Sequence, residues 1–85
     1  MSVKLLYFAW VRQRVGRAEE QIAAPASVTT VASLVDFLRK RGPGYEAAFQ
    51  DLKLLRCAIN QEHARFDAKL KPDDEVAFFP PVTGG

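Results

Sequence analysis

The chain has 85 residues and a mass of 9.5 kDa, enough for one domain and one modest core. Twelve Lys and Arg against ten Asp and Glu leave a net charge of +2, too balanced to name a nucleic acid or a membrane surface as partner. An apolar content of 48% excludes simple disorder. The single cysteine, Cys57, has no internal partner for a disulfide, and a secreted domain this small usually needs such staples. The cytoplasm is therefore the expected compartment. The apolar run at residues 5–11 is far short of the roughly 20 residues of a spanning helix.

Residues 3–11, rich in β-branched and aromatic side chains, predict a first strand. Arg14, Val15, Gly16 and Arg17 predict a turn, with Gly16 free to take a positive φ. Residues 19–23 then predict a second, polar strand, antiparallel to the first. Val31, Leu34, Val35 and Leu38 recur at helical spacing on one face, with Thr30 as N-cap and Gly42-Pro43 as stop. Arg39, Lys40 and Arg41 sit where the helix dipole favours cations. Residues 45–50 fit one further short helical turn. Residues 54–59 predict strand three, residues 60–63 a hairpin loop and residues 64–66 a short strand four. After a turn at residues 71–74, residues 75–79 predict strand five, which Pro80 and Pro81 stop because neither can donate to a ladder.

A hairpin, a helix and three further strands imply an α+β fold: a mixed five-stranded sheet with one main helix packed on one face. That is the β-grasp, or ubiquitin-like, architecture. The expected organisation is a β-grasp domain over residues 1–79 and a C-terminal tail over residues 80–85.

Two features go beyond what such a domain needs. Strands one and five are apolar on both faces, yet one helix covers only one of them. With Lys4 marking the open side, Val3, Leu5, Tyr7, Val76 and Phe78 should face the helix. Leu6, Phe8, Trp10 and Phe79 are then left on the open face, either folded over by loops or forming a docking patch. The second feature is the end of the sequence. Pro80 and Pro81 stiffen the exit, Val82 can grip a partner, and Thr83, Gly84 and Gly85 lead to a narrow tip. The six residues after Phe79 reach roughly 20 Å when extended. Such a tip can thread into another protein's active site. The α-carboxylate of Gly85 is unhindered by a Cβ and can attack the α-phosphate of ATP. A sulfur donor can then displace AMP and leave a thiocarboxylate.

The sequence resembles the small subunits of molybdopterin synthase, sulfur carriers of the β-grasp family. The resemblance covers essentially the whole chain. It is carried by Tyr7-Phe8-Ala9 with Arg12 and Gly16, Asn60-Gln61, Asp74-Glu75-Val76, and above all Phe78-Phe79-Pro80-Pro81-Val82-Thr83-Gly84-Gly85. The family often has Glu where Gln13 stands and Gly where Asp73 stands.

The resemblance implies that a ubiquitin-activating-type adenylyltransferase, using ATP and magnesium, activates Gly85. A sulfur donor protein then forms the thiocarboxylate. The carrier next docks on the large catalytic subunit of the synthase, in a heterotetramer, with the tail inserted in that subunit's pocket. There it passes sulfur to cyclic pyranopterin monophosphate for molybdenum cofactor biosynthesis. The chain itself would bind no cofactor and no metal, and would not be catalytic alone. A ubiquitin-like modifier, a thiamine-type sulfur carrier and a plain binding module are the alternatives.

Cys57 is in phase with Leu55 and Ile59 and reads as a buried small hydrophobe. His63, in the hairpin and without partners at metal spacing, reads as a surface or partner contact. Arg12, Arg14 and Arg17 cluster near one turn, as a solvated edge or a contact with an acidic partner. The expected docking residues are thus Leu6, Phe8, Trp10, Arg12, His63 and Phe79.

Overall fold

The computed structural model describes residues 1–81. Along the chain lie β1 (Ser2–Tyr7), α1 (Ala9–Val15), β2 (Glu19–Ala23), α2 (Val31–Arg39) and α3 (Pro43–Phe49). A 3₁₀ turn (Leu52–Leu54), β3 (Arg56–Ile59), β4 (Glu62–Ala64) and β5 (Glu75–Phe79) follow. The strands form one mixed sheet in the order β2-β1-β5-β3-β4. Its two central strands, β1 and β5, run parallel, and the other neighbours are antiparallel. Parallel pairing of the first and last strands requires a crossover, and the helices supply it.

α2 forms where the periodicity places it. Thr30 and Ser33 make a reciprocal capping box: the Ser33 amide donates to the Thr30 hydroxyl at 3.1 Å, and the Thr30 amide to the Ser33 hydroxyl at 2.9 Å. Val31, Leu34, Val35 and Leu38 are buried against Val3, Leu5 and Val76 in one core cluster. At the Tyr7 end of the sheet, Phe49 of α3 packs edge-on to both Tyr7 and Phe78, with ring centroids at 6.4 and 4.9 Å. Burying such side chains contributes roughly 1.5–3 kcal/mol each relative to exposure.

Four elements differ from the sequence expectation. The first strand ends at Tyr7 instead of residue 11, because Ala9 takes a positive φ of 53° and the chain turns into α1. Gly16 closes that helix in the left-handed region, its amide bonded to the Arg12 carbonyl at 2.8 Å. Gly42-Pro43 ends α2 as expected, but Pro43 also opens α3, because its fixed φ suits a first helical position. The short helical turn expected at residues 45–50 is thus α3, Pro43–Phe49, and with α1 the one main helix has two companions.

The third difference is the β3–β4 hairpin, which is tighter than expected. Asn60 and Gln61 alone turn the chain, with φ of 51° and 71°. Glu62 and His63 thus lie on β4, and the strand spans Glu62–Ala64 instead of residues 64–66. The Asn60 side chain ties this hairpin to β5. It donates to Asp74 at 2.9 Å and accepts from the Glu75 amide at 3.0 Å. The strand expected from residue 54 begins at Arg56, after the 3₁₀ turn.

Candidate docking face and tail exit

Strand alternation sorts the side chains into two populations. Val3, Leu5, Tyr7, Val76 and Phe78 are buried beneath the helices, as their spacing implied. Among the described residues, no helix lies over the opposite face. The registers place Leu6 beside Ala77, Ala77 beside Ala58, and Ala58 beside His63. These four residues form a continuous row across β1, β5, β3 and β4. One step nearer the chain exit lies Phe79, paired with Arg56. Phe8, extended just past β1, donates its amide to the Phe78 carbonyl at 3.1 Å and leaves its side chain 48% exposed.

The expected docking residues therefore separate. Leu6, Phe8, Phe79 and His63 come together on the open face. Trp10 does not join them, because α1 carries it off the strand. It packs partly buried against the core, with the Arg14 guanidinium 4.5 Å above its ring. Arg12 lies exposed on α1, one helical turn beyond Phe8, in none of the ion pairs among the described residues.

His63 is exposed on β4, and its ring meets Phe79 edge-on, with centroids 5.5 Å apart and planes at 82°. Ala58 and Ala77, which form the floor of the row, were not singled out from the sequence. Small residues read there as filler, and only strand parity could have placed them. At the far end the patch gives way to charge, with Lys4 beside Glu75 in register and Lys4 ion-paired to Glu19 at 3.7 Å. An apolar centre with a polar margin is the usual composition of a docking surface.

The only cysteine contributes nothing reactive. Cys57 is buried, and its thiol contacts the Ala64 carbonyl at 3.2 Å. Burial pushes its pKa up and so disfavours the thiolate. No group of three or more His, Cys, Asp or Glu placed to hold a metal ion occurs among the described residues. Among them, too, no helix is long and apolar enough to cross a membrane. Pro80 and Pro81 lead away from β5 with partial exposure. The expected tail residues Val82, Thr83, Gly84 and Gly85 lie outside the described residues.

A mixed five-stranded sheet with helices on one face and parallel first and last strands defines a β-grasp, ubiquitin-like protein. The same fold occurs in the small archaeal modifier protein 1 of H. volcanii, with a TM-score of 0.77 over 95% of this chain and 98% of that one, at 22% identity. It occurs again in the complex of subunits 1 and 2 of the molybdopterin-converting factor from Helicobacter pylori, with a TM-score of 0.67 over 100% of both chains at 22% identity.

Sequence comparison carries the assignment further. Residues 5–85 match the model of the ThiS family. The chain is 43% identical over 83 residues to the molybdopterin synthase sulfur carrier subunit of Escherichia coli (strain K12), covering 98% of this chain and 99% of that protein. It is 33% identical over 85 residues to the subunit of the same name from Mycobacterium tuberculosis, covering 100% and 99%. The chain belongs to the ThiS family and, within it, to the molybdopterin synthase sulfur carrier subunits.

Proposed function

We propose that this chain carries sulfur as a thiocarboxylate on Gly85 and donates it within a molybdopterin synthase. The observation that carries the reading is full-length similarity to subunits named for that role, at up to 43% identity. The physical features fit it. The only cysteine is buried and its thiolate disfavoured, which fits sulfur carried on the C-terminal carboxylate and not on a side-chain thiol.

In this reading, Gly85 carboxylate oxygen attacks the α-phosphorus of ATP on an adenylyltransferase, with magnesium, and pyrophosphate leaves. The terminal sulfur of a sulfur donor protein's persulfide then attacks the acyl carbon of the adenylate, and AMP leaves. A thiol next attacks the donor-side sulfur of the resulting acyl disulfide, so that the sulfur–sulfur bond breaks, the thiocarboxylate is released and the donor is left as a disulfide. Pro80 and Pro81 stiffen the path, and Val82, Thr83 and Gly84 follow the partner's channel. The large catalytic subunit docks on Leu6, Phe8, His63 and Phe79, with Arg12 at the margin, and the carrier gives its sulfur to cyclic pyranopterin monophosphate. A dithiolene needs two sulfurs, so charged and spent carriers exchange. The assembly is a heterotetramer around a large-subunit dimer, in the cytoplasm. ATP and magnesium belong to the activating enzyme, not to this chain.

Complementation tests this reading. The gene should restore molybdoenzyme activity to a bacterial strain lacking its own molybdopterin synthase carrier, and should not restore growth to a strain lacking the thiamine carrier. Rescue of the thiamine strain alone would assign the chain to the other pathway. Conjugates on denaturing gels in place of either rescue would make it a modifier.

A further inference from the structure

Among the described residues, only two large apolar side chains are exposed, Leu54 at 53% and Phe8 at 48%. They stand on opposite sides of β5, the strand from which the tail leaves. Phe8 continues β1, which pairs with one edge of β5. Leu54 lies two residues before Arg56, which pairs with Phe79 along the other edge. We propose that the docking footprint straddles the tail exit. The synthase large subunit grips the β3 side as well, with an apolar socket for Leu54 and a carboxylate for Arg56. This rests on the carrier reading.

Backbone geometry puts both side chains on the open face. Leu55, between them, is fully buried in the core, and its backbone is extended, with φ of −125° and ψ of 151°. Alternation through an extended residue turns Leu54 and Arg56 together, away from the core. The register then sets Arg56 beside Phe79. The apolar patch therefore continues past Phe79 to Arg56 and Leu54, at the end of the sheet where the tail begins.

The two flanks offer the same pair of chemistries. On the β1 side, exposed Phe8 is followed one helical turn later by Arg12. On the β3 side, exposed Leu54 is followed by exposed Arg56. Neither arginine is in any ion pair among the described residues. Among those residues Arg56 donates only through Nη1, to the Leu55 carbonyl at 2.9 Å and the Lys53 carbonyl at 3.5 Å. These bonds hold the guanidinium at the start of β3 and leave its charge uncompensated. The carboxylates nearby are engaged elsewhere. Asp67 shares a shallow depression with Arg56 but pairs with Arg65 at 3.6 Å. Asp51 accepts from the Lys53 amide at 3.0 Å. A leucine beside an uncompensated arginine fits a partner whose apolar contact is edged by Asp or Glu, and a Lys or Arg there would be repelled. Contacts on both flanks also fix the carrier's rotation about its own tail, so the tip enters the pocket in one orientation.

The test is calorimetric titration of the purified large subunit with the full-length carrier at constant pH, in about 50 mM and about 500 mM salt. Leu54→Asp should weaken binding about tenfold in both. Arg56→Glu should weaken it about tenfold in low salt and only about twofold in high salt, because screening removes a repulsion. Arg56→Gln should reduce the dependence of affinity on salt, and Arg56→Lys should restore it. A role of Arg56 confined to tying its own turn would lower stability and leave the salt dependence as it is. Native affinity in Leu54→Asp, or native salt dependence in Arg56→Gln, overturns the inference.

Phe79→Asp separates this from the underlying reading. If Phe79→Asp binds as tightly as native carrier, the open face is not the docking face, and the inference falls with that reading. If Phe79→Asp loses binding while Leu54→Asp and Arg56→Glu bind as native carrier does, only the extension to the β3 side fails.

Discussion

The hydroxyl of Tyr45 donates to the carboxylate of Glu20 at 2.6 Å, joining α3 to β2 across 25 residues of sequence. The same carboxylate accepts from Tyr7 at 2.9 Å, Arg41 at 3.1 Å and Arg17 at 3.3 Å. Its side chain is only 6% exposed. Glu20 thus fastens the outer strand β2 to β1, to α3 and to the segment after α2. Replacing it with Ala leaves the Tyr7 hydroxyl without its acceptor in the core. Glu20→Ala should lower the unfolding free energy by about 2–3 kcal/mol, measured by urea denaturation.

Glu20 also gives stability a pH dependence of known sign. Burial pushes its pKa up, but the hydrogen bonds from Tyr45 and Tyr7 and the charges of Arg41 and Arg17 outweigh burial and hold it below the ordinary value. Its contribution is therefore complete above the unfolded carboxyl pKa, about 4.3, and is lost as the pH falls through the lower folded value. At the alkaline side, burial and then Glu20 push the Tyr7 and Tyr45 phenols up. Their contribution is complete below about pH 10 and is lost above it. Unfolding free energies across pH should show both losses, and Glu20→Gln should remove the acid loss but only reduce the alkaline one, because burial of the phenols persists.

Gly44 is the second pressure point. A Cβ there would collide with the carbonyl oxygen of Arg14, where α3 crosses the end of α1. Alanine is the better helix former by about 1 kcal/mol. The clash is with backbone, which cannot swing aside, so overpacking of roughly 1–3 kcal/mol opposes that gain. Gly44→Ala should therefore lower the melting temperature, whereas propensity alone would raise it.

Phe8 and Phe79 test the open face. Neither is fully buried, so Phe8→Asp and Phe79→Asp should leave the far-ultraviolet spectrum native. Each should weaken binding of the large subunit by more than tenfold, as loss of an aromatic anchor does. Trp10→Asp should act differently, lowering stability, because Trp10 packs against the core and beneath Arg14.

The elements legible in the sequence are those with local signals. α2 has four apolar residues in phase and a capping box. β5 has a turn before it and prolines after it. α1 was hidden because residues 7–11 are as apolar and aromatic as a strand, and nothing local requires Ala9 to take a positive φ. That single dihedral moved Trp10 from the open face to the core. β4 was misplaced by two residues because Asn-Gln is a less decisive turn signal than Asn-Gly. The Glu20 cluster joins residues 13, 21 and 25 positions apart, so no local pattern announces it. Of the candidate site, Leu6, Phe8 and Phe79 followed from alternation, whereas the contact of His63 with Phe79 depended on the register of β3 with both its neighbours.

The central claim is that the chemistry resides on Gly85. Intact mass spectrometry tests it most directly, after the carrier is incubated with the activating enzyme, ATP, magnesium and a sulfur source. The account predicts a mass gain equal to one oxygen replaced by one sulfur, localised to Gly85 by fragmentation and absent when Gly85 is deleted. A native carrier that stays unmodified while the Escherichia coli carrier is charged in the same mixture would contradict it.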